Sequence, residues 1–307
     1  MGSGRWNASD WESYTKTHID NKPTSKVYDK TGMDKDLNPK DVIRESRDSD
    51  DNPNSTALIV ALDVTGSMDA VLDSMARKGL PTMATEIYDR KPISDPHIMF
   101  MGVGDYDAGD KAPLQVTQFE ADIRIADQLR KVWLERGGGG NKYEGYNLPW
   151  YFAAMKTSID CFEKRGKKGY LFTIGDEETP RPLSKNAIQN IFGDTVQADI
   201  SIEDCLEIAM RKYEVFHIIV EEGSHYRWNG RIVKEKWQKL LQQRALFLSD
   251  HTKIAELIVS TIQMVEGMDK EEVIASWNGD TSVVIRNAIG DKSLVKQATA
   301  SGVVEFS

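Results

Sequence analysis

Cysteine is nearly absent: Cys161 and Cys205 are the two in 307 residues. Each sits in an apolar-periodic run, which reads as a pair of buried free thiols rather than a disulfide. The five histidines are scattered, and no zinc spacing appears. His217, alone in an apolar run, reads as a satisfied core histidine. A basic excess is also missing. The formal charge is −9, which excludes the general electrostatics of a nucleic-acid binder. No apolar run is long enough to span a bilayer, and the first residues lack the apolar stretch of a secretory leader. Met1-Gly2 is followed by Trp6 where N-myristoylation needs Ser or Thr. The expectation is a cytoplasmic protein with no nucleic-acid or membrane partner. No internal repeat is visible.

Residues 1–55 are short of apolar side chains: 12 of 55, against 40% for the whole chain. Such a segment cannot bury a core of its own, and it is read as a polar N-terminal arm. Trp6, Trp11 and Tyr14 are out of place in a solvated tail. They serve either as anchors for a partner or as a clasp on the chain's own domain.

What is there in strength begins at residue 56. From 57 to 63, six apolar side chains are followed by Asp63. That is the pattern of a strand buried on both faces with a carboxylate at its end. Asp63, Thr65 and Ser67 place oxygens at alternate positions, and Gly66 permits a tight turn. Val71, Leu72 and Met75 then share one helical face. Strand-to-helix loops are where open α/β sheets bind ligands. Oxygen donors around a carboxylate suit Mg²⁺, Mn²⁺ or Ca²⁺ rather than zinc. The plainer reading is a loop in which Asp63 and Ser67 bond backbone amides.

Buried strands recur at 97–103, 169–175, 215–220 and 245–248, with an edge strand at 114–119. Helices are expected after Pro81, over 121–135, from Pro149 to Phe162, from Ser184, from the Ser201-x-x-Asp204 cap, through Trp237, and after Asp250. The 221–230 stretch reads as a polar surface loop, because it contains Asn229-Gly230. Alternation through 57–265 predicts an α/β fold: a doubly wound, mostly parallel sheet with helices on both faces. The domain is placed at 56–268, and 269–307 is read as a C-terminal extension. A second carboxylate, Asp176, follows the strand ending at Gly175. The four glycines at 137–140 lack the Gly-Lys-Ser/Thr ending of a phosphate loop.

The Asp63-x-Thr65-x-Ser67 stretch resembles the first motif of the von Willebrand factor A (VWA) family, which opens that family's metal-ion-dependent adhesion site. Asp176 resembles the family's aspartate on the fourth strand. The resemblance covers about two thirds of the chain and implies a VWA/Rossmann-like fold of the intracellular type. One departure stands out. The family commonly supplies a threonine after the glycines, and here no threonine exists between Thr117 and Thr157. A branch of the family with acids at corresponding places implies Asp105, Glu144 and Asp176. Glu144 is the expected third-loop ligand, with Asn141 as the alternative; otherwise Glu144 caps the following helix.

The resemblance implies a metal-dependent protein-interaction module, not an enzyme, with Asp63, Thr65, Ser67, Asp176, Glu144 and Asp105 around one Mg²⁺-type ion. Intracellular members often work beside AAA+ ATPases or within large assemblies, so a protein partner is expected. Two other readings stand beside it. One is a haloacid-dehalogenase-like phosphatase, disfavoured by Thr65 and Pro180 where that family carries acids. The other is a structural VWA shell with a vestigial metal site.

Overall fold

The computed structural model describes residue 4, residues 8–135 and residues 141–296, apart from the side chains at 8, 67 and 80. Trp6, the 137–140 glycines and the Ser67 side chain lie outside the described residues.

The strands are β1 (Arg44–Ser46), β2 (Thr56–Asp63), β3 (Pro96–Val103), β4 (Leu114–Val116), β5 (Thr157–Ile159), β6 (Gly169–Gly175), β7 (Tyr213–Val220) and β8 (Ala245–Leu248). Six form the central sheet in the order β4-β3-β2-β6-β7-β8. Its pairs are parallel except the β3–β4 edge. Counted along the chain, that order is 3-2-1-4-5-6, so the winding reverses between β2 and β6.

Two cores follow from the strand period of two. Leu58, Val60 and Leu62 of β2 pack on one face with Met83 and Ile87 of the Leu80–Arg90 helix and with Leu257, Ile258 and Ile262 of the Ile254–Val265 helix. Ala57, Ile59 and Ala61 pack on the other with Trp150 and Phe152 of the Asn147–Met155 helix and with Trp237. An α/β fold with both sheet faces covered is therefore what the alternation of apolar runs produces. His217 is buried, with Nδ1 2.8 Å from Thr173 Oγ1.

The N-terminal segment lies on the first of these cores, to which Trp11, Ile19, Val27, Tyr28 and Leu37 contribute. β1 pairs in parallel with β5 as a separate two-stranded ribbon. Arg47 bonds Asp160 (2.8 Å) and Glu163 (2.6 Å), and Arg165 bonds Asp48 (2.7 Å). At the other end, Val273, Ile274, Ile285 and Ile289 join the same core from the Lys270–Ala275 and Asp280–Ile289 helices.

Several element boundaries differ from the sequence reading. The 121–135 helix is confined to Arg124–Leu129. The 149–162 helix stops at Met155, which is exposed, and β5 and a single turn at Asp160–Glu163 follow. Pairing with β1 overrides the helical period there. The Gly79-Leu80-Pro81 interruption is not a break: a wider π-type turn over Met75–Gly79 carries one helix into the next. The supposed loop at 221–230 is mostly helix, since Ser224–Leu241 forms one continuous helix.

Candidate functional site

Asp63 ends β2 and Asp176 directly follows β6, and the two strands are neighbours with Leu62 opposite Ile174. Both carboxylates therefore lie at the carboxyl edge of the sheet, where the winding reverses. This is the position at which open α/β sheets form ligand crevices. Each is fully buried.

Asp63 is held by three donors. Its Oδ1 accepts from the Thr65 backbone N–H (2.8 Å) and from Thr65 Oγ1 (2.7 Å). Its Oδ2 accepts from Tyr146 Oη (3.1 Å). Burial raises the Asp63 carboxyl to about 7, and the Asp176 charge adds to the rise while the bonds from Thr65 and Tyr146 oppose it.

Asp176 Oδ2 accepts from the backbone N–H of His225 (2.8 Å), in the first turn of the Ser224–Leu241 helix. Gly223 allows this approach, for a Cβ there would fall 2.2 Å from the Asp176 carboxylate. A carboxylate on the unpaired N–H groups of an 18-residue helix is favoured by the helix dipole. The same contact explains why 221–230 is not a loop: Asp176 supplies the cap that the local sequence lacks.

The third loop splits its two sequence-expected donors. Asn141 donates through Nδ2 to Asp105 Oδ2, and Asp105 Oδ1 accepts from Asp107 N–H (2.8 Å). Asn141 and Asp105 are thus bound to each other. Glu144 is buried and its Oε2 has no hydrogen-bond partner. Among the described residues no hydrogen bond joins its carboxylate to the N-terminus of the Asn147–Met155 helix, where the Tyr146 N–H bonds the Glu144 backbone oxygen instead. Burial and the charges of Asp63, Asp105 and Glu177 push the Glu144 carboxyl up to about 11. Glu177 is raised to about 8 by burial and by Asp176 and Asp63. His225 Nδ1 lies 2.8 Å from Glu177 Oε2.

Thus Thr65 and Asp176 neighbour Asp63, and Glu144 lies within reach of the charges of both Asp63 and Asp105, while Asp105 is also bonded to Asn141 and Asp110. Tyr146, Glu177 and His225 belong to the site and were not singled out from sequence. An orphaned buried carboxylate oxygen among other acids, with oxygen-only donors, fits a hard dication. Direct ligation by three carboxylates is not pre-formed, however. Among the described residues, the side chains that bring three ligand atoms within 4.8 Å of one another are Glu222, Asp250 and His251. They sit beyond β7 and β8, where Glu222 Oε2 accepts from His251 N–H (2.6 Å) and Asp250 Oδ1 caps Thr252 (2.9 Å).

No family model and no curated protein matches the chain. Among solved structures, it is similar to two of the pilus adhesin SpaC from Lactobacillus rhamnosus GG. These have TM-scores of 0.43 and 0.44, identities of 8% and 11%, 73% of this chain covered, and 31% and 32% of theirs. A von Willebrand factor type A structure from Catenulispora acidiphila matches with TM-score 0.37 and 13% identity, over 70% of this chain and 44% of that one. The chain therefore spans less than half the length of each of these proteins.

Proposed function

We propose that the protein is a non-catalytic, metal-dependent interaction module of VWA type that binds a partner protein at the carboxyl edge of its sheet. The observation that carries this reading is the meeting of two fully buried carboxylates, Asp63 and Asp176, at the ends of neighbouring parallel strands. In it, Asp63, Thr65, Asp176 and Glu144, with Ser67 from the sequence pattern, hold one Mg²⁺, Mn²⁺ or Ca²⁺. Asp105 acts from the adjoining loop, through its bond to Asn141. The ion supplies an electrophilic position that an oxygen of the partner completes. The chain's own residues prepare that position: Thr65 and Tyr146 orient Asp63, and the helix beginning at Ser224 holds Asp176. Trp228, 89% exposed on that helix, offers the partner an aromatic anchor close to the site. A cytoplasmic AAA+ ATPase or large assembly is the class of partner that the family resemblance favours.

A second reading, a structural shell with a vestigial site, is favoured by the three donors that already occupy Asp63. Thermal melting with millimolar Mg²⁺ or Mn²⁺, and again with chelator, separates the two. Metal binding to the folded state raises the melting temperature by mass action. The expected result is a rise in the parent and none in Asp63→Ala. A parent that does not respond is the shell.

A further inference from the structure

We infer that Tyr146 is the positioning residue of the Asp63 site: its phenol, delivered by the third loop, fixes Asp63 Oδ2 while Thr65 fixes Oδ1, and cation affinity depends on it. This rests on the metal-dependent reading above and deepens it.

Four observations converge. The Tyr146 hydroxyl bonds Asp63 Oδ2 at 3.1 Å in a fully buried position. The ring is wedged edge-on against His217 (4.8 Å between centroids) and Trp237 (5.7 Å), which stack on each other at 3.6 Å. Trp237 is itself tied to the Asp176 loop, since its Nε1–H donates to Glu177 O at 2.9 Å. The third loop is pinned to the end of β3 by Gly145 N–H on Gly104 O (3.1 Å), which sets the height of Tyr146.

Gly175, the last residue of β6, adds to these four. A Cβ there would lie 1.9 Å from Tyr146 Oη and 2.6 Å from Cζ. The ring cannot retreat, because His217 and Trp237 stand against it. The glycine before Asp176 is therefore the space that lets a phenol reach Asp63. This bond and those from Thr65 hold the two oxygens of the buried carboxyl in one orientation.

The test is a calorimetric titration of the full chain with MnCl₂ alone, in the parent, Tyr146→Phe and Gly175→Ala. Near-UV tyrosine difference spectra are recorded as the metal is added, and melting of the metal-free proteins reports their folding. Tyr146→Phe keeps the ring and its packing. It is expected to weaken Mn²⁺ binding roughly tenfold and to lose the tyrosine difference signal of the parent. Gly175→Ala, which displaces the ring, is expected to weaken binding at least as much. Equal or tighter binding by a folded Tyr146→Phe, with the difference signal intact, would overturn the role of Tyr146 and leave the metal site standing. A parent that binds no Mn²⁺ would overturn both.

Discussion

Glu144 has little local support: a buried carboxylate oxygen without a partner, beside Asp63, Asp105 and Glu177. Burial and its acidic neighbours hold this carboxyl protonated at neutral pH, so an isosteric amide removes the cost of taking up that proton on folding. Glu144→Gln is therefore expected to leave the metal-free fold about 1 kcal/mol more stable while weakening metal binding, as read by urea unfolding and by calorimetry. His97 sets a pH limit at the opposite edge of the sheet. It is buried, with Nδ1 3.1 Å from Ser46 Oγ and Nε2 unpartnered. Burial lowers it from 6.5 to about 4, against the pull of Asp95 and Asp48. A folded value below the unfolded one means that the stability is whole above 6.5 and is lost as the pH falls toward 4. The loss reaches about 3 kcal/mol, and His97→Gln should flatten that acid limb in a pH series of melting curves. The Asp63–Thr65 contact was legible, as an acid after an apolar run with a hydroxyl two residues on; Ser67 lies outside the described side chains. Tyr146 was not, because a tyrosine before an apolar helix reads as packing. His225 was not, because it acts through its backbone N–H.

At the scale of elements, the strands were legible because those buried on both faces leave unbroken apolar runs. The misreadings fall where one element is completed by another. β5 is a strand because β1 lies beside it, and the Ser224–Leu241 helix begins where it does because Asp176 waits there. The N-terminal segment behaves likewise, since its five buried apolar residues find their core on the domain. Deleting residues 1–43 should cost several kcal/mol and open the Leu80–Arg90 helix to proteolysis, both measurable on the truncated chain. The polar clamp beside β1 adds a pH dependence. Burial works against the charge of Asp48 and Asp160. Arg165 and Ser55 outweigh it at Asp48, and Lys164, the Asp48 N–H and Arg47 outweigh it at Asp160, so both carboxyls lie below the usual range. Their contribution is present above the unfolded carboxylate value near 4 and fades as the pH falls below it. Arg47→Ala should cost about 1 kcal/mol at neutral pH and less below that value, by urea titration.

For the whole molecule, the strand order predicts a gradient of protection. β2, β6 and β7 are paired on both sides and buried, but for Thr56 at the start of β2, whereas β4 and the β1–β5 ribbon are short and at edges. Hydrogen exchange should be slowest in the first group, by the full unfolding free energy, and faster in the second. The sheet order also governs when the site comes into being. Asp63 and Asp176 are 113 positions apart (176 − 63), and the N–H that holds Asp176 lies at residue 225. A nascent chain carries Asp63 and Thr65 early, yet the N–H that holds Asp176 arrives only with the Ser224–Leu241 helix. The edge of the sheet is thus a completion mark: a fragment or a half-made chain lacks the assembled group of Asp63, Tyr146 and Asp176, and only the finished fold has it.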